Sequence, residues 1–123
     1  MSARPEHEKL AAYAHSLEAV EVLDAMAQRL PERRAELRDQ LRRAAASIPL
    51  NIAQGAAEFS PAEKARFYRI ARRSAAECLA VLDVIHRVEP DAIGRVDARA
   101  ALLRVAGMLT LMVKAVEARP RRK

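Results

Sequence analysis

The side chains that do most enzyme chemistry, histidine and cysteine, are few in this chain and widely spaced. Its histidines are His7, His15 and His86, and its one cysteine is Cys78. A di-metal site in a helical bundle needs Glu-x-x-His pairs that face inward, and the sequence contains none. Asp83 and His86 form one acid–histidine pair typical of a surface contact, and Cys78 falls on an apolar stripe where a thiol acts as a small hydrophobe. The sequence therefore predicts no catalytic residue, metal, cofactor or small-molecule substrate.

Arginine is the abundant side chain with chemistry of its own, because a guanidinium group binds phosphate. Two sets of arginines recur at helical spacing and could contact the phosphates of a nucleic acid. They are Arg34, Arg38 and Arg42, followed by Arg66, Arg69 and Arg73. Acidic residues stand among them, which favours a solvated face whose charges pair along each helix. The four aromatic residues are too few for a platform that stacks on single strands.

The net charge of +6 comes largely from the end of the chain. Arg119, Arg121, Arg122 and Lys123 supply +4 of it, so the rest of the chain carries only +2. The sequence predicts a basic flexible tail over residues 119–123. This tail either aids solubility or contacts RNA or DNA through Arg121 and Arg122.

Length and composition predict one folded domain over residues 1–118. The chain has 123 residues, of which 51% are hydrophobic and three are glycine, and this suffices for one core. No apolar stretch approaches the roughly 20 residues that span a bilayer. The first ten residues lack the layout of a signal peptide. Because a lone cysteine cannot form an intrachain disulfide, we expect a cytoplasmic protein with no membrane contact.

The spacing of apolar residues predicts four helices and no strand. Their expected ranges are 6–30, 32–54, 61–88 and 96–118. Short connections between long amphipathic helices indicate an all-α fold, an antiparallel up-and-down four-helix bundle.

Local signals mark several helix faces and ends. In the first helix, the apolar spacing places six residues near one inward face: Leu10, Ala14, Leu17, Val20, Ala27 and Leu30. Ser60 followed by Pro61 predicts the start of the third helix, as a capping serine and a proline at the first helical position. Gly55 is expected to follow the end of the second helix as its C-terminal cap.

The stretch from Ala44 to Ala57 has no charge, although 31% of the chain is charged. Around the axis of the second helix, Leu41, Ile48 and Ile52 form a core stripe. The opposite side is small or uncharged where a monomer would expose Lys and Glu, so we expect it to contact a second copy of the chain. The candidate interface residues are Arg43, Ala46, Ser47, Leu50, Asn51, Ala53, Gln54 and Ala57. An alanine-rich face that meets only solvent is the alternative.

Pro49 stands in the middle of this helix, where it removes a hydrogen bond to the carbonyl of Ala45 at a cost of roughly 3 kcal/mol. We expect a kink at Pro49, with Ser47 and Asn51 close enough to hydrogen-bond the freed backbone groups. Such a kink would splay the end of the helix outward.

The region from Leu41 to Glu77, LRRAAASIPLNIAQGAAEFSPAEKARFYRIARRSAAE, resembles the 23S rRNA intervening-sequence proteins. That family shows an RA-x-x-SI-x-x-NIAEG-type signature and an SA-x-E on its third helix. The matching residues are Arg43, Ala44, Ser47, Ile48, Asn51, Ile52, Ala53, Gly55, Ser74, Ala75 and Glu77. Gln54 departs from the usual glutamate. The resemblance implies a homo-oligomer, expected to be a pentamer, and distant kinship with retroelement accessory proteins that engage nucleic acid and a reverse transcriptase.

Glu77 is expected on the flank of the third helix, beside the core stripe. In an antiparallel hairpin its nearest basic partners would be Arg38, Arg42 or Arg43. We favour a structural polar contact that fixes helix register, in which Ser74 and Arg42 take part, over a binding carboxylate.

Two functions follow from the sequence as hypotheses. The first is a non-enzymatic bundle that assembles into a ring-like homo-oligomer and serves as a scaffold or interaction module. The alternative is an accessory protein that binds RNA or DNA through a basic surface of the oligomer.

Overall fold

Four apolar stripes at helical spacing must be buried against one another, and the chain achieves this by reversing direction after each helix. The computed structural model describes residues 6–94 and 98–118, which form α1 (Ala11–Arg29), α2 (Ala35–Ala57), α3 (Pro61–Val88) and α4 (Ala98–Glu117). Each helix packs on the next one in the chain, and α4 returns to pack on α1. The diagonal pairs are not in contact, which confirms the predicted all-α, up-and-down four-helix bundle.

The first predicted helix is in fact two pieces. Glu6–Lys9 form a short 3-10 helix, Leu10 is extended, and α1 begins at Ala11. The His7 ring meets the Tyr13 ring edge-on, with 4.7 Å between centroids. Residues six apart in a straight helix lie about 9 Å apart along the axis and on different sides, so this contact requires the break.

The inward face predicted for the first helix was wrong in part, although Ala27 and Leu30 are buried as expected. Ala14 and Leu17 are exposed, and the buried positions include Ala12, Ser16 and Leu23. Alanine fits either face, so the many alanines of α1 leave its hydrophobic periodicity ambiguous. Ser16 can face the core because its hydroxyl donates a hydrogen bond of 2.7 Å within the helix.

The turn between α2 and α3 ends where the sequence predicts, at the start of α3. The Ser60 hydroxyl accepts the Glu63 N–H at 3.3 Å, and Pro61 occupies the first turn of α3. At the other end, Lys64 Nζ donates to the carbonyls of Gly55 and Ala56 at 2.8 and 3.2 Å. A side chain of α3 thus satisfies carbonyl groups that the end of α2 leaves open.

Gly55 is not the C-terminal cap that the sequence predicted, because α2 continues to Ala57. Within residues 6–94 and 98–118, Gly94 is the one glycine with a positive φ, of 76°. A Cβ atom on residue 55 would lie 2.6 Å from Cε1 of Tyr68. The glycine therefore allows the Tyr68 ring to pack against the backbone of α2.

α2 passes through Pro49 as one uninterrupted helix, and Pro49 itself is buried. The kink predicted at this residue stays a prediction. The end of α4 at Glu117 agrees with the expected range, whereas the predicted start at residue 96 and the basic tail of 119–123 lie outside the described residues.

The core runs the length of the bundle and draws on all four helices. Its largest fully buried apolar side chains include Leu23, Met26, Leu41, Ile48, Ile52, Ile85, Leu102 and Leu109.

Polar side chains link neighbouring elements at one end of the bundle. Glu89, just after α3, accepts from Arg33 and Arg34 at 2.6 and 3.1 Å, and Arg29 Nε donates to the Ala92 carbonyl at 2.9 Å.

The close contact at Gly55 predicts a coupling with Tyr68. Gly55→Ala should lower the free energy of unfolding by about 1–3 kcal/mol, because the added methyl group overpacks against a buried ring. In a Tyr68→Val background, which removes the ring edge, the same substitution should cost much less. Urea denaturation of the four proteins at one protein concentration measures this coupling. An equal cost in both backgrounds would show that the ring does not require the glycine.

Candidate functional site

The side chains with catalytic potential do not converge in the described residues. Asp83 accepts from Arg99 Nη1 at 3.2 Å, and His86 on the next turn is exposed. No group of three or more His, Cys, Asp or Glu residues with metal-binding geometry occurs in the part of the chain that the structure describes. Burial raises the pKa of the Cys78 thiol to about 12, with a smaller contribution from the Glu77 carboxylate. Cys78 is therefore a protonated thiol at neutral pH, and a weak nucleophile.

The first set of arginines is engaged in ion pairs within the chain. The acceptors are Glu89 for Arg34, Glu32 for Arg38 and Asp24 for Arg42, at N–O distances of 3.1, 3.3 and 2.9 Å. Arg38 also donates to the Leu30 carbonyl at 3.0 Å. These arginines pair with acids on the elements that flank α2, and so their charges are partly neutralised.

The second set is divided. Arg66 pairs with Glu63 at 2.6 Å, and Arg69 pairs with Glu117 of α4 at 3.0 Å. Arg73 is exposed and has no ion pair with any residue that the structure describes. The sequence predicted pairing along single helices, yet most arginines of the two sets reach acids on other elements. The acid that each arginine reaches depends on how the helices are aligned along one another, and the spacing of residues in the sequence does not show this alignment.

Ser47 and Asn51 lie in the seam between α2 and α3, which we define by Ser47, Asn51 and Ser74. The Ser74 hydroxyl donates to Ser47 Oγ at 2.8 Å. Asn51 Nδ2 donates to Ser47 Oγ at 2.9 Å and to the Ser47 carbonyl at 2.8 Å. Both α2 side chains are half-buried. Two residues expected at a contact between copies thus serve a contact inside one copy.

Glu77 does not make the expected ion pair within one chain. It is exposed, and no described residue forms a salt bridge with it. Arg42, one of its expected partners, turns to Asp24 of α1 instead. Ser74 makes its polar contact with Ser47. A contact between Glu77 and another copy of the chain stays a prediction.

The outer face of α2 is open and largely apolar. Leu50 is 63% exposed, Arg43, Gln54 and Ala57 are exposed, and Ala46 and Ala53 are half-buried. Six of the eight predicted interface residues therefore share this face, which we call the α2 face: Arg43, Ala46, Leu50, Ala53, Gln54 and Ala57.

Leu17 extends this face onto α1, which the sequence prediction missed. The Asp24–Arg42 ion pair fixes the register of the antiparallel pair α1–α2. Counting along both helices from this pair places Leu17 level with Pro49, one residue from the level of Leu50. Leu17 is 42% exposed, on the side of α1 that Asp24 also occupies. The sequence prediction missed this residue because it placed Leu17 toward the core.

Comparison with known proteins supports the resemblance found in the sequence. The family model of the 23S rRNA-intervening sequence protein matches residues 8–90, which cover α1, α2 and α3. The family comprises small helical proteins of no known catalytic role. No curated protein matches the chain. None of the described helices is long and apolar enough to cross a membrane.

The geometry of the seam predicts unequal costs for its two serines. Ser47→Ala removes the acceptor of two side chains and should lower the free energy of unfolding by about 1–2 kcal/mol. Ser74→Ala removes one donor and leaves the Asn51 contacts in place, so its cost should be nearer 0.5–1 kcal/mol. Urea denaturation measures both values. A smaller cost for Ser47→Ala would contradict the network.

Proposed function

Because this chain belongs to the 23S rRNA-intervening sequence protein family and exposes an apolar helix face, we propose that it is a self-assembling, non-enzymatic scaffold. Copies of the chain contact one another through the α2 face and form a ring-like homo-oligomer, which the family resemblance suggests is a pentamer. The lone buried Cys78 fits a reducing cytoplasm as the place of assembly.

The exposure of Leu50 carries this proposal. A side chain of this size, 63% exposed in the middle of an uncharged helix segment, is unusual where a monomer would place Lys or Glu. Burying it would contribute roughly 1.5–3 kcal/mol. The flanking Ala46, Ala53 and Ala57 would let another helix approach closely. A solvated alanine face accounts for these alanines, but it does not account for two exposed leucines, Leu50 and Leu17, at nearly one level of the α1–α2 pair.

We propose a non-enzymatic function because of the state of the side chains that could act in catalysis. Cys78 is buried with a raised pKa, and the Asp83 carboxylate is paired with Arg99. The exposed side chains on which the candidate functions rest are leucines and arginines, which suit binding rather than catalysis.

The proposal predicts that one charge on the α2 face dissociates the oligomer. Leu50→Glu buries a carboxylate at each contact and removes the leucine, so the dissociation constant should rise about 100-fold or more. Sedimentation velocity over a micromolar concentration range measures the change. Circular dichroism should show an intact fold, since residue 50 is exposed.

Ala80→Glu is the matched control for this experiment. Ala80 is exposed on the outer side of α3, away from the α2 face, and its substitution should leave the oligomer unchanged. A wild-type chain that sediments as a monomer throughout the range would refute the proposed function.

A second candidate function, binding of RNA or DNA, is favoured by arginines without acidic partners. Arg72 and Arg73 form no ion pair with described residues, and they line one shallow depression on α3 together with Arg69. A ring would repeat this depression in every copy. The basic residues after Ala118 add further charge.

Salt dependence separates a role of α3 from a role of the tail. Arg72→Gln with Arg73→Gln should weaken binding to a structured RNA and lower the slope of log K against log salt by about 1.4–1.8. Arg34→Gln with Arg42→Gln removes the same charge from paired arginines and should change the slope less. If deletion of residues 119–123 abolishes binding while the α3 variant binds as wild type, only the tail contacts RNA.

A further inference from the structure

We infer that the outer face of α4 is the second half of the contact between copies, and that the α2 face of a neighbouring copy occupies it. This α4 face consists of Leu103, Gly107 and Leu111, with Arg104 and Lys114 at its margins. The inference rests on the proposed self-assembly and specifies which two surfaces meet. α4 lies beyond residues 8–90, the span of the family match.

α4, like α2, is apolar on two sides. Its inward stripe includes Leu102, Val105 and Leu109, which are fully buried. Leu103 and Leu111 point outward and are 51% and 68% exposed. Residues four and eight positions apart share one side of a helix, so these leucines and Gly107 form one stripe about 12 Å long. No described part of the chain covers it.

Gly107 gives an independent reason to expect a close partner on this stripe. Glycine is among the least favourable residues inside a helix, and a single copy gives no reason for it at this position. A Cβ atom on residue 107 would meet nothing within 4 Å, and its φ is not positive. Gly55, by contrast, is required by the Tyr68 ring of the same chain. A glycine between two exposed leucines forms a recess that suits a leucine side chain from outside.

Charge selects the α2 face, rather than a second α4 face, as the occupant of this recess. Arg104 and Lys114 are exposed and form no ion pair with described residues. Two α4 faces brought together would place these cations against each other. On α1, Glu21 lies one turn from Leu17, is exposed and also forms no ion pair within the described chain. The α2 face carries one exposed cation, Arg43, but its α1 margin adds the anion Glu21, so it offers a protruding Leu50 and an opposite charge that the α4 face lacks.

The positions of the two faces in the bundle suit a ring. α2 and α4 are diagonal in the bundle, so their outer faces point in opposite directions. When one patch of a molecule binds a different patch of its neighbour, the contact is heterologous and repeats from copy to copy. Such contacts close into a ring when a whole number of equal rotations from copy to copy makes one full turn.

Mixing two disabled variants tests this pairing directly. Leu50→Glu keeps the α4 face and Leu111→Glu keeps the α2 face, so each variant alone should be monomeric. An equimolar mixture should form a one-to-one complex that grows no further, because only one functional pair of faces is left. Sedimentation equilibrium over a concentration series, with a mass tag on one variant, measures the mass of the complex.

Gly107→Gln tests the recess by itself. The new side chain fills the recess without a clash in the monomer and should raise the dissociation constant of the oligomer at least tenfold.

The outcomes separate this inference from the proposed function. If Leu50→Glu dissociates the oligomer while Leu111→Glu and Gly107→Gln assemble like wild type, the α4 inference fails and self-assembly through α2 stands. If both Glu variants are monomeric and their mixture forms no complex, the pairing of α2 with α4 is wrong. A monomeric wild-type chain overturns both proposals. Ala80→Glu on its own, which should assemble like wild type, controls for the added charge.

Discussion

The edge of the Tyr68 ring lies where a side chain on residue 55 would be, and this contact draws the end of α2 against α3. The seam of Ser47, Asn51 and Ser74 continues the close approach farther along the pair. Because α1 packs on the opposite flank of α2, the inward half of α2 is fully used. Leu50 is then forced outward, since a one-residue shift of the helix would bring Gly55 out of reach of the ring. The exposed apolar surface is thus a consequence of how α2 is packed.

The sequence predicted those features that depend on local order along the chain. α3 begins where Ser60 and Pro61 predict because a cap is a contact between neighbours in sequence. The face of α1 was predicted wrongly at Ala14 and Leu17 because alanine does not distinguish core from solvent, and Ser16 is buried by means of a hydrogen bond that hydropathy ignores. Gly55 looked like a helix cap because glycine has two uses, and only the tertiary structure shows which applies. The α2 face was largely predictable, because absence of charge over four turns is itself a local pattern, but Leu17 was not.

The arginines show how a basic sequence can present little free positive potential. Each exposed ion pair contributes only about 0–1 kcal/mol to stability, so these pairs do not hold the fold together. Their effect is on register, because Arg42 with Asp24 and Arg69 with Glu117 each join two helices at one level. An arginine that is satisfied in this way is a weak ligand for phosphate. Among the exposed cations without an ion pair in the described chain, Arg73, Arg104 and Lys114 lie on α3 and α4, and Arg43 lies on α2.

Assembly would change how the unpaired basic residues bind a nucleic acid. The charges of different copies would not, however, add up to one strong electrostatic field. All copies in a closed ring are related by rotation about one axis, so every α4 ends at the same rim, followed in sequence by +4 of charge. Helices pack about 8–10 Å apart, so a bundle is roughly 20 Å across and equivalent points on neighbours are at least that far apart. The Debye length at physiological salt is about 8 Å, which screens one such cluster from the next. Repetition around a ring therefore acts through multivalent contact, in which each cluster holds the nucleic acid near the others. On this argument a monomer would bind weakly and without sequence preference, and assembly through the apolar faces would be the condition for any strong interaction with a long polyanion.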